Sequence, residues 1–399
     1  MKKKVLFFLR SHNDIDHMTP VIWKWASTAD VPSVVILVNP RETLDDYRIR
    51  LLQSVENLEI RLLDEVSAVS VTEYAGAAVK EGEAWADQLL QATMGDVDKG
   101  LVVFDWISDI PVPYRDFATN VVKVARDCAL IPVSLPHGDE PHYCKMILRD
   151  RLSYDEMEIY TRTKDLFDKI AVPNELCAVR FRSDSGGDKV RILGSPRYND
   201  EWLTIVHEQL SRYEDSSTDG KLKILLFMRP IVYPIFWEEV VRTIRLLARF
   251  SAVHLILVHH TRGRPPPDLF RLYPDLAPRR EADLDVIAGD IQSTALIRWA
   301  DVILDLGTSA VFEAIKLDKP VLELEYLHAT YTTISHYMNR CVMMCRDHLY
   351  EAIKRLIDEG CEGFYDQAEK EQFVREMIDV PDKKVLPRYV EFLSELLDR

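Results

Sequence analysis

The chain has 399 residues, more than one ordinary domain, and two domains are the natural expectation. Apolar residues make up 47% and charged residues 29%, a globular composition with ample core. The formal charge of −15 repels a polyphosphate backbone and argues against a nucleic-acid partner, while leaving room for a local basic pocket for one small anion.

The opening "MKKKVLFFLRSHND" has an apolar run too short for a signal peptide and reads as a first buried strand. A helix is expected over "TPVIWKWAST" (19–28) and a second strand over "SVVILVN" (33–39). Next come a helix in "TLDDYRIRLLQSV", a short strand in "LEIRLLDEV" and a long helix from "VTEYAGAAVKEGEAWADQLLQATM". "GLVVFDW" (100–106) is a strand, "YRDFATNVVKVARDCAL" a helix, and "IPVSLPH" (131–137) a strand running into a loop. "KIAVPN" and "KVRILGSPR" supply the last strands of this half. Continuous apolar strands alternating with helices predict a parallel sheet covered on both faces.

"SRYEDSSTDGK" (211–221) is polar and aperiodic, and reads as a linker. A second series then begins. Strands are expected at "KILLFM" (223–228), "VHLILVHH" (253–260), "LDVIAGD" (284–290), "DVILDLG" and "KPVLELEY". Helices are expected in "PIFWEEVVRTIRLLARF", "STALIRWA", "SAVFEAIKL", "DHLYEAIKRLIDEG" and the tail "PRYVEFLSELLDR". Two Rossmann-like halves predict ligands at the carboxyl ends of the strands. No eighteen-residue apolar stretch exists, so no membrane span is expected.

The six cysteines, Cys128, Cys144, Cys177, Cys341, Cys345 and Cys361, contain no CxxC pair and read as buried free thiols, which suits a cytoplasmic location. In "DLGTSAVFEA", Gly307 permits a sharp turn, and Thr308 or Ser309 can cap the helix that follows. Free N–H groups at such an end attract phosphate. Glu313, one turn in, could accept hydrogen bonds from ribose hydroxyls, or could simply face solvent on a capped helix.

The longer segment "ADVILDLGTSAVFEAIKLDKPVLELEY" (300–326) resembles the donor-binding segment of GT-B-fold proteins. The likeness is to the UDP-GlcNAc 2-epimerase-like enzymes and the bacterial surface-polysaccharide transferases. It rests on the turn Gly307-Thr308-Ser309, the acid Glu313 and the strand entry Lys319-Pro320-Val321-Leu322. It implies an α/β, GT-B-like fold: two Rossmann-type domains facing a central cleft, nucleotide phosphates at the turn and ribose at Glu313. The expected division is an N-terminal acceptor domain over 1–212, a linker over 213–220 and a nucleotide-sugar donor domain over 221–380. The helix at about 386–399 is expected to pack back on the first domain.

Other segments fit the same resemblance. "SLPHGDEPHYCK" (134–145) places His137 and Asp139 where such enzymes face the nucleotide; His137, Asp139 and His142 match no zinc template, and no metal site is expected. "LRSHNDIDHMTP" (9–20) offers Asp14, Asp16 and His17 as acid–base groups in a loop, with Pro20 near the helix start and Asp16 alternatively its cap. The epimerase family shows a "GTRPE"-like string here, and this chain does not. "LVHHTRGR" (257–264) gives His259, His260, Arg262 and Arg264, similar to the basic loop of polyol-phosphate transferases, and Arg262 is a phosphate candidate, as is Arg229 in "LFMRPIVYP" (226–234). "ILGSPRYNDEW" (192–202) reads as hinge-proximal through Gly194, Ser195, Pro196 and Arg197, and "DLDVIAGD" (283–290) as a loop holding the base.

The leading expectation is a glycosyltransferase moving a sugar from a nucleotide-sugar to a surface-glycan or glycolipid acceptor. Its catalytic groups would come from Asp14, Asp16, His17, His137 and Asp139. Arg229, Arg262, Gly307, Thr308 and Ser309 would hold the donor phosphates and Glu313 the ribose, with no cofactor, no metal and room for peripheral membrane contact. The alternatives are a UDP-GlcNAc 2-epimerase-like isomerase, a CDP-alcohol polyol-phosphate transferase, and a non-catalytic nucleotide-sugar-binding module.

Overall fold

The computed structural model describes residues 1–67, 69–74, 79–107, 112–140, 161–182, 187–211, 213–214, 220–229, 235–258, 284–287, 291–329 and 332–398. The described chain divides into two compact units. One comprises residues 1–140, 161–202 and 375–398, and the other residues 203–374.

The first unit is built on a seven-stranded sheet. Its strands are β1 (Lys3–Leu9), β2 (Ser33–Leu37), β3 (Leu58–Leu62), β4 (Lys99–Phe104), β5 (Ile131–Ser134), β6 (Lys169–Val172) and β7 (Val190–Ile192). The order is β3-β2-β1-β4-β5-β6-β7, and every pairing is parallel. Strand side chains alternate between faces, so a strand covered on both sides must be apolar throughout. In β1, Leu6 and Phe8 enter one core with the helices Val79–Met94, Val112–Asp127 and Glu175–Arg182. Val5, Phe7 and Leu9 enter the other with the helices His12–Thr28 and Val385–Asp398. Phe8 stacks on Phe104 across the β1–β4 pair at 4.4 Å between ring centroids.

The C-terminal helix belongs to this first core. Tyr389, Phe392, Leu393, Leu396 and Leu397 are buried there. The Tyr389 hydroxyl donates to Gly194 O at 2.9 Å, and Lys3 pairs with Asp398. Gly194 has φ +92, and a Cβ there would meet Val385 Cγ2 at 2.6 Å, so only glycine lets the chain after β7 pass this helix.

The first helix starts earlier than the sequence pattern suggests. Ser11 is its extended N-cap, and the Asp14 carboxylate accepts from Arg10 N at 2.8 Å, Ser11 N at 3.1 Å and Ser11 Oγ at 3.1 Å. This Ser-x-x-Asp arrangement draws residues 12–19 into the helix. Asp14, Asp16 and His17 therefore stand on the first turns of a helix, not in a loop, and Pro20 lies inside it.

The second unit holds five parallel strands: β8 (Leu222–Phe227), β9 (Val253–Val258), β10 (Leu284–Ile287), β11 (Val302–Asp305) and β12 (Val321–Glu323). Their order is β10-β9-β8-β11-β12. Its described helices include Trp237–Leu247, Ser293–Trp299, Val311–Lys316 and Arg346–Glu359. Both sheets are doubly wound. The strand order reverses between β1 and β4 in one, and between β8 and β11 in the other. Such a switch point opens a crevice at the strands' carboxyl ends.

Candidate functional site

The switch point of the first sheet carries a dense set of charged groups. Arg10 and Asp14 follow β1, Asp105 follows β4, and His137 follows β5. His137 Nδ1 lies 2.8 Å from Asp105 Oδ2 and 3.3 Å from Asp14 Oδ1, and its Nε2 lies 3.1 Å from Asn13 Nδ2. Arg10 Nη2 donates to Asp105 Oδ2 at 3.0 Å, and its Nε is 3.7 Å from Asp14 Oδ2. The same guanidinium sits 4.2 Å over the Tyr114 ring, and the Tyr114 hydroxyl donates to Asp105 Oδ1 at 3.2 Å.

These contacts push the two carboxyls apart in acidity. Burial disfavours ionised Asp14, but Arg10 and His137 outweigh it and hold this carboxyl well below the usual range. Burial also disfavours ionised Asp105, and the negative Asp14 beside it adds to the effect, so Asp105 is raised despite Arg10 and His137. Burial alone would lower His137; its contacts with Asp105 and Asp14 raise it instead. A carboxylate kept ionised, a carboxyl biased toward its proton and a histidine biased toward imidazolium form an acid–base set. The donor atoms of Asp14, Asp105 and His137 lie within 4.8 Å of one another, a spacing a metal ion could use, but Arg10 already supplies positive charge there.

A second cluster stands on the same helix. Asp16 is bound by two arginines, Arg48 and Arg197, the latter at 3.1 Å. Their charges outweigh burial and keep it ionised, so Asp16 anchors guanidinium groups. His17 Nδ1 lies 3.7 Å from Asp139 Oδ2. Burial, reinforced by Arg197, drives His17 well below its ordinary value. Burial pushes Asp139 up to about 7, against the pull of the Arg197 charge. Among the described residues neither Asp139 oxygen, nor His17 Nδ1, nor Ser195 Oγ has a hydrogen-bond partner. The Asp139 carbonyl is fixed by Asn174 Nδ2 at 2.8 Å.

In the second unit, Gly307 has φ +84 and makes the sharp turn expected after β11. The N–H groups of Gly307 and Thr308, which the sequence reading offers to phosphate, donate to Asp305 Oδ1 at 2.9 and 2.8 Å. The helix begins at Val311, with Ala310 as its N-cap, one residue beyond the expected Ser309 and two beyond the expected Thr308. Thr308 Oγ1 instead accepts from Ala310 N at 3.4 Å. Glu313 is buried rather than solvent-facing, 3% exposed. Its Oε2 accepts from Thr294 Oγ1 at 3.0 Å, and its Oε1 lies 3.1 Å from His207 Nε2. Arg229 is buried just past β8, at this sheet's own switch point. Arg262, with His259, His260 and Arg264, lies outside the described residues, as do His142, Cys144, and 283 and 288–290 of the expected base-holding loop.

The structure thus brings Asp14 and His137 into one cluster, and His17 and Asp139 into another. Sequence reasoning missed Arg10, Asp105, Tyr114 and Arg48. Asp105 was detectable as an acid directly following an apolar strand of a parallel sheet, where such folds place their chemistry.

No protein-family model matches the chain, and no curated protein matches its sequence. Solved structures do match in shape. A UDP-GlcNAc 2-epimerase from Neisseria meningitidis, bound to UDP-GlcNAc, superposes with a TM-score of 0.62 at 14% identity, covering 99% of both chains. The chain has the GT-B-like fold of the UDP-GlcNAc 2-epimerases. Staphylococcus aureus MnaA, in a structure with UDP, gives a TM-score of 0.60 at 13% identity over 100% of this chain and 98% of that one. Anabaena HepE in complex with UDP-glucose gives 0.57 at 13% identity, covering 98% and 99%. No helix among the described residues is long and apolar enough to cross a membrane.

Proposed function

We propose that the chain is an enzyme of UDP-sugars that works by proton transfer through His137, and that its reaction is 2-epimerisation. The observation that carries the reading is His137 held 2.8 Å from Asp105 and 3.3 Å from Asp14 at the switch point of the first sheet. Epimerisation at C2 takes the C2 proton as the C1–O bond to UDP breaks, the C–H electron pair forming a C1=C2 double bond; a proton returned to the opposite face of C2, with UDP rejoined at C1, gives the epimer. It needs an acid and a base around one carbon, and Asp14, Asp105 and His137 supply differently biased partners for that exchange. Arg10 supplies the positive charge that a leaving or developing anion requires, so the proposal calls on no metal at this site. The epimerases among the solved structures with this fold support the isomerase over a transferase.

Glycosyl transfer is the second reading, favoured by one observation. The segment from the end of β1 into the first helix reads "LRSHND" and lacks the "GTRPE"-like string of the epimerases. In that reading His137 is the base beside an acceptor hydroxyl. The two separate in one reaction followed by proton NMR. An isomerase given UDP-GlcNAc alone forms UDP-ManNAc. A transferase leaves the sugar unchanged until an acceptor is present. If neither UDP-GlcNAc nor UDP-glucose binds or reacts, both readings fail.

A further inference from the structure

The second unit contains a polar cluster that the proposed chemistry leaves unused. β12 ends at Glu323, which is fully buried. The chain then forms a short 3-10 turn, Glu325–Leu327, closed by Leu327 N donating to Leu324 O at 2.9 Å. His328 follows the turn as its extended C-cap. A short antiparallel bridge between His328 and Ile235 fixes the far end of the turn. The result is that one donor atom each from Glu323, Glu325 and His328 all lie within 4.8 Å of one another.

Glu323 Oε1 accepts from the Thr332 hydroxyl, whereas Glu323 Oε2 has no partner among the described residues other than the neighbouring Glu325 carboxyl. Asp305 stands opposite Glu323 in the parallel register of β11 and β12, so the neighbouring strand adds another acid. A buried carboxylate needs a compensating charge or donor. Glu323 forms no ion pair with a lysine or arginine among the described residues.

We propose that Glu323, Glu325 and His328 bind a divalent first-row transition ion, Zn²⁺ or Mn²⁺, which pins the turn after β12. Two carboxylates and an imidazole suit these ions, while Mg²⁺ and Ca²⁺ favour all-oxygen sets. Four-coordinate binding sets donors roughly 3.4 Å apart, which small side-chain rotations from the observed spacing reach. The site is separate from the acid–base cluster, and the inference does not rest on the UDP-sugar reading.

The test uses the full-length protein, stripped with a chelator and titrated with Zn²⁺ and Mn²⁺, with Mg²⁺ and Ca²⁺ as controls. Bound metal is read by elemental analysis after desalting, and affinity by calorimetry. The expected result is about one tightly held equivalent of Zn²⁺ or Mn²⁺, with affinity falling at least tenfold in both Glu323→Gln and Glu325→Gln, and much weaker uptake of the controls. Glu325 lies at the edge of the cluster, so its variant keeps the test open if Glu323→Gln does not fold, with circular dichroism checking each. No uptake by the wild type, or uptake that Glu325→Gln leaves unchanged, overturns the proposal.

Discussion

Asp139→Asn should stabilise the protein increasingly as pH rises from acid to neutral. Asp139 is 1% exposed, and neither of its carboxylate oxygens has a hydrogen-bond partner among the described residues. Burial moves its carboxyl from the ordinary 3.8 up to about 7. In the unfolded chain the proton leaves near the ordinary value; in the folded protein it is kept until near neutrality. Between the two the native state binds the extra proton, so this group's contribution falls as pH rises. Each pH unit of that interval is worth about 1.4 kcal/mol, and the whole interval about 4 kcal/mol. Asparagine has the same shape and cannot ionise, so the variant lacks this slope. Urea unfolding of both proteins from about pH 4 to about pH 8 isolates the group from the separate slopes of Asp14 and Asp46, which are common to both and cancel in the difference. The variant should gain several kcal/mol relative to wild type across this range, with the gain levelling off above about pH 7. A difference that stays flat with pH, or that moves in favour of the wild type as pH rises, refutes the reasoning.

His137→Asn should keep the far-ultraviolet circular dichroism spectrum of the wild type while lowering turnover of a UDP-sugar by about 10²- to 10⁴-fold, as loss of a general acid–base group does; turnover within a fewfold of wild type removes His137 from the chemistry. Glu313→Ala deprives Thr294 and His207 of their shared acceptor and should cost about 1–3 kcal/mol, lowering the melting temperature by several degrees, with Glu313→Gln recovering part of it. An unchanged melting temperature in Glu313→Ala contradicts the buried network.

The strand–helix alternation of both sheets was legible because parallel strands covered on both faces must be apolar along their whole length, as "KVLFFL" and "KILLFM" are. The position of the candidate cluster follows the same pattern, since His137 and Asp14 come just after strands. Their partners were hidden for a physical reason: Arg10, Asp105 and His137 meet only because β1, β4 and β5 are adjacent in the sheet, and adjacency across 127 residues is set by topology, not local pattern. The first helix was misjudged by seven residues because Pro20 resembles an N-terminal signal, whereas the Ser11–Asp14 arrangement is the true one. The buried network around Glu313 was not legible because its partners, Thr294 and His207, are far away in sequence and carry no helical spacing to it.

The claim that His137 and its carboxyl partners exchange a proton with a UDP-sugar has a direct measurement. The protein is incubated with UDP-GlcNAc in D₂O, without any acceptor, and the sugar is followed by proton NMR. The account predicts that deuterium enters at C2 as UDP-ManNAc appears, and that His137→Asn abolishes both. A wild-type enzyme that binds UDP-GlcNAc yet leaves its C2 proton in place contradicts it.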